Sequence, residues 1–442
     1  MDLETLLYWI TLALIGLGFW FLDRHRERRA QRRVAEAHEI GTHIPVSLSP
    51  RIDPERCIGT AACAMACPEK SILEIVGGRA ILAHAAHCVG HGACYQACPV
   101  DAIDLVIGSE QRGVHIPHIQ PNFETNRRGI YIAGELGGMG LIANAIQQGT
   151  EAADYIDQDL ADDPDAVTDY ADVAVIGSGP AGIAAALRLH QLGRRIAWFD
   201  RYGIGGAVNT YPRQKIVMTR PFHLPGWRPI RSRELSKEQL ADTFRRATDD
   251  AGITPKIAEV TDITGTNNAF QIVAANSTPT AARRVLLALG RRGNPRRLNV
   301  PGEDLPFVTY VYRDGWQYEG QRVFVVGGGD SAVESALTAV RDGADRVMLC
   351  YRGERITRAR AANRQRLERA VDAGEVELLL SANVTRLEPD GTVYIDQSGQ
   401  QRTVSADIVI IQIGGEPPTE FLNRLGIEMD IKHGETIAGP RR

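Results

Sequence analysis

The sequence predicts an α/β chain: two doubly wound α/β domains, a small α+β module ahead of them and one N-terminal transmembrane helix. Three observations predict it. Two stretches, beginning at Asp172 and Gln321, run strand, glycine loop, helix, strand. Two cysteine runs between residues 57 and 99 share one spacing, and residues 5–22 carry no charge.

Length and composition agree. At 442 residues the chain has room for two or three domains. It is 44% hydrophobic and 24% charged, an ordinary globular mixture. A net charge of −4 makes no case for a nucleic-acid partner. Six of the seven cysteines sit in the two runs, so they read as ligands in a reducing compartment rather than as disulfides. The seventh, Cys350, ends an apolar strand run and reads as core.

The first element is TLLYWITLALIGLGFWFL, residues 5–22, just long enough to span a bilayer. Tyr8, Trp9, Trp20 and Phe21 lie toward its two ends, where aromatic belts form. DRHRERRAQRR follows directly, with six arginines, and the positive-inside rule puts that side in the cytoplasm. A cleaved signal peptide fits badly, because its leading residues would be basic and these are MDLE. A buried hydrophobic helix is the alternative. The expectation is a single-pass anchor over 1–23 in the cell inner membrane, a basic juxtamembrane linker over 24–50, and every later domain in the cytoplasm.

The second element is the cysteine module. The runs are CIGTAACAMACP, residues 57–68, and CVGHGACYQACP, residues 88–99. Both follow the cluster-wrapping spacing C-x2-C-x2-C-x3-C-P except at the second cysteine, which is Thr60 in one and His91 in the other. A structural zinc site is the alternative. Residues 51–108 resemble the two-cluster bacterial ferredoxins on these runs. The resemblance implies two iron–sulfur clusters with crossed ligands: Cys57, Cys63 and Cys98 for one, Cys67, Cys88 and Cys94 for the other. Thr60 is a poor iron ligand. Its cluster is therefore expected as 3Fe-4S, or as 4Fe-4S with a water, hydroxide or hydroxyl ligand. His91 is either an imidazole ligand that raises its 4Fe-4S cluster's potential or a histidine outside the ligand set.

The third element is DVAVIGSGPAGIAAALRLHQLGRRIAWFD, residues 172–200. Gly177, Gly179 and Gly182, with Pro180 opening the helix, form a dinucleotide fingerprint in its full context, and Asp200 is placed to accept a ribose hydroxyl. The fourth is QRVFVVGGGDSAVESALTAV, residues 321–340, with Gly327, Gly328 and Gly329 leading to Asp330 and Ser331. Its next strand ends near Arg352 and Arg355 instead of an acid, which suits the 2′-phosphate of NADPH over NADH.

GSGPAG at 177–182, GGGDSAVESA at 327–336 and IGGEPPTEFL at 413–422 make residues 171–430 similar to the thioredoxin-reductase-like flavoproteins, in particular their bacillithiol-disulfide-reductase-like branch. The resemblance implies FAD in the first loop and NAD(P)H in the second. Thioredoxin reductases carry C-x-x-C-D-G before the second domain, where this chain has YVYRDG at 310–315, with Tyr310 and Arg313 in place of both cysteines. That excludes a disulfide reductase of the C-x-x-C type. The segment that normally closes the FAD domain is expected upstream, in GIYIAGELGGMGLIANAIQQGTEAADYI at 129–156, with Gly134 and Glu135 meeting the flavin: a circular permutation.

The expected plan is a permuted FAD segment at 109–156, an acidic surface linker at 157–170, the FAD domain at 171–300, the NAD(P)H domain at 301–412 and a return to the FAD domain at 413–442. Tyr211 and Lys215 are the flavin-proximal candidates. The expected function is an NAD(P)H-dependent flavin and iron–sulfur oxidoreductase passing electrons to a protein or quinone-type partner, with a homodimer left open. A small-substrate reductase fed by the clusters and a redox sensor are the alternatives.

Overall fold

The structure, a computed structural model, describes residues 3–45, 48–67, 69, 72–88, 90, 92–111, 113–138, 141–163, 169–211, 216–218, 221–232, 234–275, 277–291, 294–312 and 315–438. The chain divides into two compact units: residues 1–114 with 431–442, and residues 115–430.

In the smaller unit one helix runs unbroken from Leu3 to Glu39. Its apolar half is exposed, and among the described residues it alone is long and apolar enough to cross a membrane. The stretch from residue 24, expected as a linker, is helical as far as Glu39. Alanine, arginine, glutamate and glutamine there favour helix, and the unit gives that helix a surface to cover. Ala30 and Ala37 are buried, Arg33 pairs with Glu74 at 2.6 Å, and Glu27 accepts the Gly77 N–H at 2.9 Å.

Behind the helix lie a hairpin, Leu73–Val76 with Arg79–Leu82, and a three-stranded antiparallel sheet. Ile103–Ile107 is the central strand, with Leu48–Ile52 on one side and Glu435–Ala438 on the other. Residues 413–442 therefore do not all return to the FAD domain, since 431–438 belong to this unit. The open edge of Ile103–Ile107 needs a partner for its backbone groups. The segment meets that need, beginning with Gly434 N–H on Ile107 O at 2.8 Å.

The larger unit holds two doubly wound domains. The first is a seven-stranded sheet in which Lys256–Ile257, Ile196–Asp200, Ala171–Ile176 and Thr280–Leu287 run parallel. Phe270–Ala274 and Val260–Thr264 extend it antiparallel. Ile130–Ile132, from upstream of the fingerprint, also joins Thr280–Leu287 in parallel, Val285 opposite Ile130. Helix Ile142–Ala161 packs along Pro180–Gln191. The fit is so close at Gly149 that a Cβ there would overlap the Ala181 carbonyl.

This helix continues into the acidic stretch expected as a surface linker. Asp159 and Asp163 pair there with Arg284, whose side chain is fully buried. A guanidinium removed from water requires anionic partners, and the end of this helix and the residues just past it supply two. Tyr131 Oη donates to the same Asp159 at 2.8 Å.

The second domain is a five-stranded parallel sheet in the order Val308–Thr309, Ile408–Ile411, Arg322–Val326, Arg346–Cys350, Glu377–Leu379. The two chain passages between the domains pair with each other, Asn294–Pro295 against Gly415–Glu416. Leu422, Leu425 and Ile427 then pack back into the first domain's core.

Candidate cofactor sites

Each cysteine run folds as a loop that ends in a short helix, Ala62–Ala66 in one and Ala93–Ala97 in the other. Both helices follow a left-handed residue, Ala61 and Gly92. That reversal turns the loop back on itself and aims its cysteines inward. One cavity is lined by Cys57, Cys63 and Cys98, with Thr60 in its wall. A second is lined by Cys67, Cys88 and Cys94.

These groupings are the crossed sets that the resemblance implies. No disulfide joins the cysteines among the described residues. Ala80 N–H donates to Cys57 Sγ at 3.4 Å and Ala102 N–H to Cys98 Sγ at 3.2 Å. Such bonds stabilise negative charge on sulfur.

Burial pushes the Cys94 thiol up to about 12 and the Cys88 thiol up to about 11, with neighbouring thiols adding to both. Cys63 is raised for the same reasons. Two sets of three converging thiols, with backbone N–H groups aimed at Cys57 and Cys98 Sγ, are a donor set that fits iron. Among the described residues no three His, Cys, Asp or Glu side chains are placed to hold a single ion. Three thiols ranged around a cavity suit several irons better than one zinc ion. Thr60 Oγ1 accepts the Ala62 N–H at 3.4 Å, so the hydroxyl is engaged by its own loop. His91 lies outside the described residues.

In the first glycine loop, strand Ala171–Ile176 reaches Gly177 at φ +111°, where a Cβ would overlap the Ala288 carbonyl. Gly182 lies equally close to Gly177 O, so it brings the helix hard against the loop. Gly179, just before Pro180 and helix Pro180–Gln191, has nothing within 4 Å of where a Cβ would stand. That open space at a helix N-terminus suits a pyrophosphate.

Asp200 accepts three backbone N–H bonds: Ser178 at 2.7 Å, Tyr202 at 2.7 Å and Gly203 at 2.8 Å. Its carboxylate therefore fixes the loop before any ribose contact is made. Gly134 N–H donates to Gln148 Oε1 at 3.0 Å, and Glu135 begins the turn that follows. Glu135 Oε2 comes within 3.9 Å of the Cβ position of Gly290, beyond the carboxyl end of strand Thr280–Leu287, where ligands of such sheets bind. Tyr211 is half-buried against this domain's core. Lys215 lies outside the described residues.

The second loop repeats the frame. Gly327 follows strand Arg322–Val326, and a Cβ on it would overlap Gln412 O. Gly329 faces open space at the start of helix Asp330–Arg341. Asp330 accepts Arg360 N–H at 2.9 Å and Asn363 Nδ2 at 2.8 Å, so it holds the segment after the arginines in place. Ser331, Arg352 and Arg355 are exposed.

The register reveals a residue that motif reading passed over. Gly177 N–H bonds Phe199 O, and Gly327 N–H bonds Cys350 O. Tyr351 thus occupies the place that Asp200 holds in the first loop, and its ring lies against Gly328. Counting from the glycines alone lands one residue short, because the second unit has one residue more between its strands.

Residues 174–437 match the family model of pyridine nucleotide-disulphide oxidoreductases. Residues 49–99 match that of a 4Fe-4S dicluster domain. The chain is 27% identical to bacilliredoxin reductase Bdr of Bacillus subtilis over 59% of this chain and 82% of that protein. It is 29% identical to a ferredoxin–NADP reductase of Ignicoccus hospitalis, over 58% and 82%. The solved bacillithiol disulfide reductase Bdr of Staphylococcus aureus superposes with a TM-score of 0.51 at 25% identity, covering 60% of this chain and 82% of that one.

Proposed function

This chain belongs to the pyridine nucleotide-disulphide oxidoreductases, and from that premise we propose that it is a membrane-anchored NADPH-dependent oxidoreductase. Electrons pass between NADPH, FAD and two iron–sulfur clusters to an acceptor of the protein or quinone type. The observation that carries this is the pair of thiol-lined cavities in the same chain as two glycine loops. Bound flavin supplies the conversion between a two-electron hydride donor and one-electron carriers. The protein's part is to hold, orient and tune.

Several observations support the finer parts. NADPH over NADH is favoured by Tyr351 and Arg352, which stand where an acid would repel a 2′-phosphate. Attack on a disulfide requires a thiolate, and Tyr310 and Arg313 supply none where the C-x-x-C pair would lie. Tyr310 Oη is committed instead to Glu303 at 2.7 Å. A circularly permuted FAD domain is favoured by Ile130–Ile132 and Ile142–Ala161, which pack beside the fingerprint that follows them in sequence. Inner-membrane anchoring with cytoplasmic redox domains is favoured by the exposed apolar helix and the six arginines after it.

Anaerobic titration of the purified protein with NADPH, followed optically and by EPR, tests the reading. Flavin absorbance should bleach first, and reduced-cluster signals should follow within the same titration. Clusters that dithionite reduces but NADPH never reaches would end it. Thr60→Cys should convert a 3Fe signal, where one is seen, into a 4Fe one.

A further inference from the structure

We propose that the cluster held by Cys57, Cys63 and Cys98 is the membrane-proximal exit cluster, and that Ile58 and Met65 seat its loop on the bilayer surface. The proposal rests on the reading above, that the acceptor is reached from a membrane-anchored chain. It adds which cluster faces that membrane and through which side chains.

The continuous helix acts as a ruler. Glu27 lies about 8 Å beyond Leu22, the end of the uncharged run, at 1.5 Å per residue, and Arg33 about 17 Å beyond it. Glu27 accepts the N–H of Gly77 and Arg33 pairs with Glu74. From Glu27 to Arg33 is about 9 Å of helix, and from Gly77 back to Glu74 is about 10 Å of strand. The hairpin Leu73–Val76/Arg79–Leu82 therefore lies along the helix, with its Gly77–Gly78 turn at the membrane end.

The two cysteine loops sort along that hairpin. At the turn, Gly59 sits so close to Gly78 that a Cβ on it would overlap the Gly78 carbonyl, and Ala80 bonds Cys57 Sγ. Ile72 and Leu73, at the other end, line the cavity of Cys67, Cys88 and Cys94. That end is tied to the region just past the helix: Ala86 N–H donates to Thr42 O at 2.8 Å, and Thr42 Oγ1 bonds His84 Nδ1 at 2.8 Å.

The exposed side chains match this order. On the first loop, Ile58 and Met65 are 64% and 68% exposed. The second loop's helix carries Gln96 at the position of Met65. Two large apolar side chains held in water beside a membrane helix favour transfer into the interface. Arg24, Arg26, Arg28 and Arg29 stand at the same height on the helix and suit anionic headgroups. A lipid-dissolved quinone reaching this loop would take two electrons, one at a time, and two protons from water to become the quinol. NADPH supplies the electrons through the flavin chemistry proposed above.

The test uses full-length holoprotein in vesicles of phosphatidylcholine and phosphatidylglycerol. A lipid with a headgroup-chelated dysprosium ion speeds the spin relaxation of a nearby reduced cluster. The signal perturbed by Thr60→Cys, read in oxidised protein for a 3Fe cluster and in dithionite-reduced protein for a 4Fe cluster, should be the one that relaxes faster. Faster relaxation of the other signal alone overturns the proposal. This readout needs no NADPH, so it stands apart from failure of the electron path itself.

With a long-chain benzoquinone in the vesicles, Ile58→Lys and Met65→Lys should each slow NADPH-driven quinone reduction about tenfold at limiting quinone, the factor that losing one such buried side chain carries. Reduction of water-soluble ferricyanide by Met65→Lys should be unchanged, and Gln96→Lys should alter neither rate. Equal losses in Gln96→Lys and the two loop variants, or none in any, would count against it.

Discussion

The two glycine loops share one frame and close it differently. In the first, Gly182 lets the helix touch Gly177 O, Ser178 Oγ donates to Gly203 O at 2.6 Å, and Asp200 gathers three backbone N–H groups. In the second, Ala332 stands where Gly182 does, Gly328 replaces Ser178, and a tyrosine ring replaces the acid. The first loop is prepared by its own backbone before any ligand arrives, as suits a cofactor that stays. The second leaves its selectivity to side chains, the half-buried Tyr351 and the exposed arginines after it, as suits a coenzyme that comes and goes.

The largest break in this comparison should come from Gly182→Val. Its side chain meets the Gly177 carbonyl, backbone that cannot step aside, and overpacking of this kind costs about 1–3 kcal/mol or more. The purified variant should lose nearly all its flavin absorbance. Ala332→Gly, the mirror change, should lower the second domain's stability by only about 1 kcal/mol. Similar losses from both would show that the loops are not closed differently.

Asp200→Ala comes next. It strands three backbone N–H groups, of which each left unpaired costs about 1–3 kcal/mol, so flavin retention and thermal midpoint should fall together. Tyr351→Asp tests the opposite direction. An acid in the second loop should raise KM for NADPH and lower it for NADH.

Arg352→Ala should raise KM for NADPH about tenfold, in keeping with loss of one charge-assisted phosphate contact, and leave NADH unaffected. Equal effects on both coenzymes would assign Arg352 to the fold. The smallest effect is expected from Glu135→Ala, a partial loss of flavin with little change in coenzyme KM, measured as flavin-to-protein ratio. Unchanged flavin content would remove Glu135 from the site.

Much of this molecule is readable along the chain because its signals are local. A glycine loop works through residues within about a helical turn of one another, so strand, loop and helix betray themselves together. The apolar span likewise needs only its own composition. Tyr351 escaped because its role depends on register between two strands, and one added residue shifts that register without changing any motif. Asp159 and Asp163 escaped for a related reason. An acidic run reads as surface until a buried arginine 121 and 125 residues further along is placed beside it.

What the sequence determined by itself is therefore the set of parts: a long apolar helix, a paired cysteine module and two nucleotide loops, each specified by near neighbours. Tertiary structure alone decided how distant pieces complete those parts. Residues 435–438 finish the sheet of a module that begins near residue 48, because the edge of Ile103–Ile107 would otherwise keep its backbone groups unpaired. Ile130–Ile132 adds to a sheet whose fingerprint begins 45 residues further on, because strand Thr280–Leu287 offers it a parallel edge. Edges, buried charges and cavities exist only once the chain has folded, so no local pattern announces them.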